Sequence, residues 1–237
     1  MSFKVSMLDI EQLNKAAVNH EYDMIKISYS HYPKISEAYQ LLRAGSAMGF
    51  GNGPLLVARR KIHPDEFSHL KIAIPGIETT ANMLLTLAYP EVSNKPVYLF
   101  SNIEDAVLSG EVDAGLLIHE TRFTYEKKQL HKLIDLGEFW ETKTGGLPLP
   151  LGAIAVKRKL SEDTKKNMNN AVSESVLYAL KNPQKPEKFV LNHANEIDID
   201  VCRKHINLYV NEFSVDIGDT GKKAVDALLT LKTNNIA

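Results

Sequence analysis

Residues 115–123, GLLIHETRF, carry an apolar run straight into a histidine and a glutamate. An imidazole with an unperturbed pKa of about 6.5 needs little tuning to accept a proton near neutral pH, so His119 is a candidate general base. A satisfied structural histidine is the other reading of the same residue. Metal ligation is not indicated: HETRF lacks the second histidine of HExxH, and His131 has no partner at helix-face spacing. No Ser–His–Asp arrangement can be named. Cys202 is the single cysteine, which excludes an intrachain disulfide or a cysteine-based zinc site and reads as a small, half-buried apolar residue.

Two further stretches could meet a ligand. In PGIETTAN (75–82) a strand ends at Pro75-Gly76 and a helix starts at Thr79 or Thr80. The free N–H groups of that first turn, with the threonine hydroxyls, suit a carboxylate or phosphate, although threonines also serve simply as N-caps. In KISYSHY (26–32) the strand ends near Ser28, so Lys26, Ser28 and Tyr29 are expected to face the same cleft as the first stretch. GSAMGFGNGP (45–54) has neither the dinucleotide spacing nor a GK[ST] ending, and it precedes a strand; it reads as a flexible turn. Arg122 tempts as a carboxylate partner but reads as a solvated residue just past a strand.

The elements that must position these residues follow from periodicity. Alternation in FKVSML (3–8) predicts a strand, and Asp9 with Gln12 predicts a capped helix through Ala17. Strands are expected at 23–30, 54–60, 71–76, 96–100, 112–119 and 149–158. Helices are expected at 35–45, from Thr79 to Tyr89, at 103–110 and at 162–182, with two more within 184–211 and 219–232. The alternation of strand and helix through 1–125 predicts parallel sheets covered by helices. Strands at 54–60 and 151–158 would carry the chain between two α/β lobes, residues 1–58 with 157–237 and residues 59–156, with a cleft between them. Ligands of such sheets sit at the carboxyl ends of strands.

Composition narrows the partners. The 237 residues are 44% hydrophobic and 24% charged, ordinary for a globular protein with a large core. A net charge of −1 gives no reason to expect nucleic acid or an acidic membrane surface. No apolar run approaches the ~18–20 residues of a membrane span, and the N-terminus lacks the pattern of a signal peptide, so a cytoplasmic protein is expected.

Longer segments carry a resemblance. GEVDAGLLIHETRFTY, DLGEFWETKTGGLPLPLGAIAVKR and YVNEFSVDIGDTGKKAV resemble the 1,4-dihydroxy-6-naphthoate synthase family of the futalosine route to menaquinone. KISYSHY, GFGNGPLLVARR and IPGIETTANMLL fit the same family in the same order. The resemblance implies the two-lobed fold of periplasmic binding proteins (type II), used as an enzyme. It implies cyclic dehypoxanthine futalosine as substrate, a lyase-type reaction, and no metal or organic cofactor. It places the proton acceptor at His119 and substrate contacts at Lys26, Ile27 and Ser28 and at Thr80 and Ala81; Thr79 joins them on the helix-start argument. Family members usually open with a further strand and an SPCPNDTFxF-type loop before the segment matching FKVSMLDIEQLN, so the first lobe is expected to lack a strand and one cleft wall. A non-catalytic carboxylate-binding protein of the same fold and the sister enzyme chorismate dehydratase are the competing readings. HETRFTY and GLPLPLGAIAV fit the synthase better than the dehydratase.

Overall fold

A computed structural model describes residues 2–193 and 198–234. The expectation for 184–211 therefore lies partly outside the described residues. The chain runs through α1 (Ile10–Val18), β1 (Met24–Ser28), β2 (Tyr39–Leu41), β3 (Ala47–Gly49), β4 (Leu55–Ala58) and β5 (Ile72–Ala73). It continues with α2 (Thr80–Ala88), α3 (Ile103–Ser109), β6 (Ala114–Leu117), β7 (His131–Asp135), α4 (Leu136–Thr144) and β8 (Leu149–Lys157). The C-terminal part is α5 (Glu162–Lys181), α6 (Glu187–His193), α7 (Ile199–Tyr209), α8 (Glu212–Val215) and α9 (Gly218–Asn234).

Two sheets result. In the first, β8 is central and pairs antiparallel with β1, β2 and β3. In the second, β4 pairs antiparallel with β6 and β7, and β5–β6 is parallel. The expected all-parallel sheets are therefore corrected. The long return strand β8 enters from the second sheet and runs against every strand it meets. The expected lobe boundaries at 58/59 and 156/157 fall at the far ends of β4 and β8, whereas by pairing β4 belongs to the second sheet and β8 to the first.

Several local expectations also change. The apolar spacing of 35–45 does not make a helix; a 3₁₀ turn over Tyr29–Lys34 leads into β2, because β8 offers backbone partners to Tyr39–Leu41 and tertiary pairing overrides propensity. The segment 3–8 forms no strand, since no described strand pairs with it, and Phe3, Val5 and Met7 are exposed. PVYLF contributes a single bridge, Val97 to Ile74, beside Pro96, which cannot donate. The unforeseen β7 and α4 are built from HKLIDLGEFWETKTGG: Asp135 caps α4 by accepting from Gly137 N–H at 2.8 Å, and Gly145 ends it in the left-handed region at φ 70°. Trp140 of α4 is fully buried, and its indole N–H donates to the carbonyls of Leu147 and Pro148.

The helices take their starts from the caps their sequences offer. Asp9 and Gln12 form the reciprocal capping box of α1, Thr79 Oγ1 accepts from Asn82 N–H to start α2, and Ser161 caps α5. The main core joins Ile25 and Ile27 of β1, Leu56 of β4, Leu84 and Leu85 of α2 and Leu228 of α9, so both sheets share it. None of the described helices is long and apolar enough to cross a membrane.

Candidate active site

A cavity of about 860 Å³ opens between the two sheets. Lys26 and Ser28 of β1, the start of α2 at Thr79, Thr80 and Ala81, and His119 just beyond β6 all line it. Six of the seven residues singled out in the sequence thus meet at one place. Ile27 is the exception. Side chains alternate along a strand, so with Lys26 and Ser28 facing the cavity its side chain points the other way, into the main core. Tyr29 is likewise in the core. Its hydroxyl bonds the cavity-lining Ser46 Oγ at 3.0 Å, and burial pushes its pKa up to about 12.

Each side chain is held by its own element. β6 is buried at every residue and sits on Ile103 and Val107 of α3, and Gly115 leaves no room there for a side chain. At its end the backbone turns sharply, with Ile118 extended and His119 at φ 60°. A non-glycine residue in that region is uncommon and costs roughly 1–3 kcal/mol, so the surrounding fold must hold it. Thr121 Oγ1 closes the turn by donating to the Ile118 carbonyl at 2.7 Å, and Arg122 anchors it by donating to the carbonyl of Gly53 and pairing with Asp135 at 3.3 Å. Both side chains are largely buried, which corrects the solvated reading of Arg122.

The His119 ring packs edge-on to Phe100, centroids 4.7 Å apart, and to His205, 5.8 Å away. Neither ring nitrogen has a hydrogen-bond partner among the described residues. Burial, then the nearby Lys26 and His205, lower its pKa from 6.5 to about 3, so the ring is neutral across the physiological range. Lys26 is open to the solvent of the cavity yet walled by protein; that enclosure lowers its pKa, with Glu120 acting in the opposite direction.

The polar floor is pre-arranged. Asn14 of α1, fully buried, accepts the Ser28 N–H at 2.9 Å and donates to Ser28 Oγ at 3.1 Å, which leaves the serine O–H free to donate elsewhere. Thr80 Oγ1 donates to the carbonyl of Leu151 at 3.0 Å and accepts the Ser30 N–H at 3.3 Å. Its hydroxyl is thus already engaged. The groups α2 presents without a described acceptor are the N–H groups of Thr80 and Ala81, in a helix of nine residues that favours an anion at this end.

Sequence reasoning missed Asn14, Glu120 and His205. Asn14 interrupts the apolar face of α1 beside Leu13 and Ala17, a readable signal of a buried polar duty. His205 and Tyr209 lie one helical turn apart on α7, and both line the cavity, their rings 4.7 Å apart. Among the described residues, no group of His, Cys, Asp and Glu side chains is placed to hold a metal ion.

Two sheets around a lined cleft, joined by two chain crossings, define a protein of the periplasmic-binding-protein-like class, and comparison with known proteins agrees. The chain belongs to the menaquinone biosynthesis family, whose model matches residues 1–233. It is 42% identical over 220 residues to the 1,4-dihydroxy-6-naphthoate synthase of Thermus thermophilus, covering 93% of this chain and 79% of that one. The enzyme of the same name from Streptomyces coelicolor is 40% identical over 231 residues, covering 95% and 81%. A crystal structure of an Archaeoglobus fulgidus protein superposes with a TM-score of 0.91 at 34% identity, over 97% of this chain and 86% of that one. The periplasmic aliphatic sulphonate binding protein of Escherichia coli shares the fold alone, at a TM-score of 0.62 and 11% identity, over 95% and 79%.

Proposed function

We propose that this chain is a 1,4-dihydroxy-6-naphthoate synthase of menaquinone biosynthesis, acting in the cytoplasm on cyclic dehypoxanthine futalosine. The observation that carries the reading is the His119 ring opening onto the same cavity as the Lys26 side chain and the N-terminus of α2. In this reading the first lobe comprises residues 2–49, 149–193 and 198–234, the second comprises 55–144, and the substrate lies between them.

The reaction is a lyase-type opening of the ribose-derived ring with loss of a sugar fragment and aromatisation, driven by the chain's own side chains. The substrate carboxylate pairs with Lys26. That pairing cancels the positive charge that, after burial, most depresses His119, and so makes the imidazole a stronger base once substrate is in place. His119 then removes a carbon-bound proton. The free N–H groups of Thr80 and Ala81, with Ser28 Oγ, hold the oxygens on which charge grows. Closure of the lobes excludes water during the step.

A second reading rests on the same Lys26 and α2 N-terminus, which would bind a small carboxylate without any chemistry. Incubation of the protein with cyclic dehypoxanthine futalosine, followed by mass spectrometry, separates the two. Dihydroxynaphthoate is the expected product; a folded protein that binds the compound and leaves it intact would establish the binding protein instead.

A further inference from the structure

The cavity holds a second histidine that the proposed reaction has not used. His205 of α7 lines the cavity, and its Nδ1 faces Glu120 Oε1 at 3.7 Å, an ion-pair separation longer than a direct hydrogen bond. Both side chains are largely covered, with 23% and 17% of their surface exposed. Glu120 follows His119 in the turn after β6, so one short segment supplies a histidine and the carboxylate that faces the other histidine. The difference between the two rings is chemical. His119 has no carboxylate beside it, whereas His205 has a counter-ion for the imidazolium it would become. A carboxylate on the Nδ1 side also favours, through its charge, a proton on that nitrogen, which leaves Nε2 as the acceptor.

We propose that His205, oriented by Glu120, is a second catalytic base of this cavity and takes the carbon-bound proton whose loss makes the product ring aromatic. This rests on the synthase reading. A phenolic product is the enol form of a ring ketone, so the step is a proton transfer with no oxidant. Nε2 of His205 takes the proton, and the C–H electron pair becomes a ring double bond. The carbonyl pair moves onto its oxygen. The proton then passes from the imidazolium to that oxygen, and His205 returns to its neutral state. Glu120 keeps its charge throughout and is a positioning residue.

The groups around His205 set how it titrates. Glu120 faces it from the turn after β6, Lys26 from β1, His119 from the end of β6, and Tyr209 from its own helix; His193 of α6 lines the same cavity, and β3, which also packs on α7, offers no titratable side chain. Burial lowers the His205 pKa, Glu120 raises it and Lys26 lowers it. Removing the Glu120 charge therefore moves it further down.

The test uses the intact protein and cyclic dehypoxanthine futalosine, with His205→Asn and Glu120→Gln. His205→Asn is expected to lower kcat at least ~100-fold while calorimetric affinity for the substrate stays within a few-fold. Glu120→Gln is expected to move the acid limb of the kcat profile to lower pH and to lower the His205 pKa read from its ring resonances. His205→Gln repeats the first measurement should the asparagine variant fail to fold. A His205 variant with kcat within threefold of wild type, or an acid limb and ring titration unmoved by Glu120→Gln, overturns the assignment. Wild-type protein that leaves the compound unchanged overturns the synthase reading itself, and with it the assignment, a result that the variants' behaviour cannot mimic.

Discussion

Thr80 Oγ1 donates to the carbonyl of Leu151, 3.0 Å away, and so ties the start of α2 to β8 of the other sheet. The same oxygen accepts from Ser30 N–H, and Ser30 Oγ donates to the carbonyl of Glu78 at 2.7 Å. Thr80 is thus a fastening between the two sheets before it is a ligand contact. Thr80→Val keeps its shape and removes both bonds. The variant is expected to lose roughly 1–3 kcal/mol of stability, because two buried backbone groups lose a partner. Substrate affinity should change less, since the α2 N–H groups remain. Denaturant unfolding and calorimetry measure the two effects separately; unchanged stability would contradict the fastening role.

His119 combines a strained backbone with an unpartnered ring. His119→Ala is expected to lower turnover by ~10²–10⁴ with substrate still bound, as loss of a general base does. His119→Gly should be as inactive but more stable than His119→Ala by about 1 kcal/mol, because glycine adopts the left-handed region at no steric cost. Turnover assays with matched thermal melts check both halves. An alanine variant with near-normal turnover would return His119 to a structural role.

Much of this site could be read from the chain. His119, Ser28 and the Thr79–Ala81 turn each stand at the end of a strand or the beginning of a helix, with Lys26 two residues inside its strand, and local periodicity marks such ends well. What local pattern does not carry is which edge a segment will pair with. The 35–45 segment has helical spacing, yet β2 forms there because β8 arrives from more than a hundred residues away. Ile27 illustrates the finer limit: a tripeptide in a strand cannot present all its side chains to one cavity. His205 stayed hidden for a third reason, since its partner Glu120 lies on a different element and only the folded chain brings them together.

Acid should weaken the fold partly through His119. The folded group takes its proton only near pH 3, whereas an unfolded histidine takes one near 6.5. Between those values the unfolded state binds more protons, so stability falls as pH drops through that window. His119→Asn, which does not titrate and tolerates a left-handed backbone, is expected to lose less stability than wild type between pH 6.5 and pH 4. Chemical denaturation across that range gives the comparison; parallel pH profiles would show that the ring is not excluded from protonation in the folded protein.

Ser28 is aimed by Asn14, which meets both its N–H and its Oγ from the buried face of α1. Asn14→Leu would fit the apolar surroundings but leave the Ser28 N–H without an acceptor. The expected cost is roughly 1–3 kcal/mol of stability, with weaker substrate binding from a serine free to rotate. Asn14→Asp keeps the acceptor for the N–H and loses the donor to Oγ, so it should bind substrate better than the leucine variant. Equal affinities for the two variants would remove Asn14 from the site.

Arg122 fixes the His119 turn through two anchors that are themselves fixed. Asp135 Oδ2 accepts from Arg122 at 3.3 Å while Oδ1 caps α4, and the Gly53 carbonyl sits where the backbone passes so close to Gly137 that a Cβ at Gly53 would lie 2.0 Å from its nitrogen. Breaking a buried pair leaves the other charge unmatched, so Arg122→Ala and Asp135→Ala are each expected to cost about 3–5 kcal/mol. Lysine cannot bridge a carbonyl and a carboxylate with one planar fork, so Arg122→Lys should recover little of that loss. The double variant should be far less destabilised than the sum of the singles, because the two side chains act on one another. A double-mutant cycle by denaturant unfolding reads this coupling. Turnover in the same variants shows whether the turn still presents His119; additive losses would mean that the pair does not hold it.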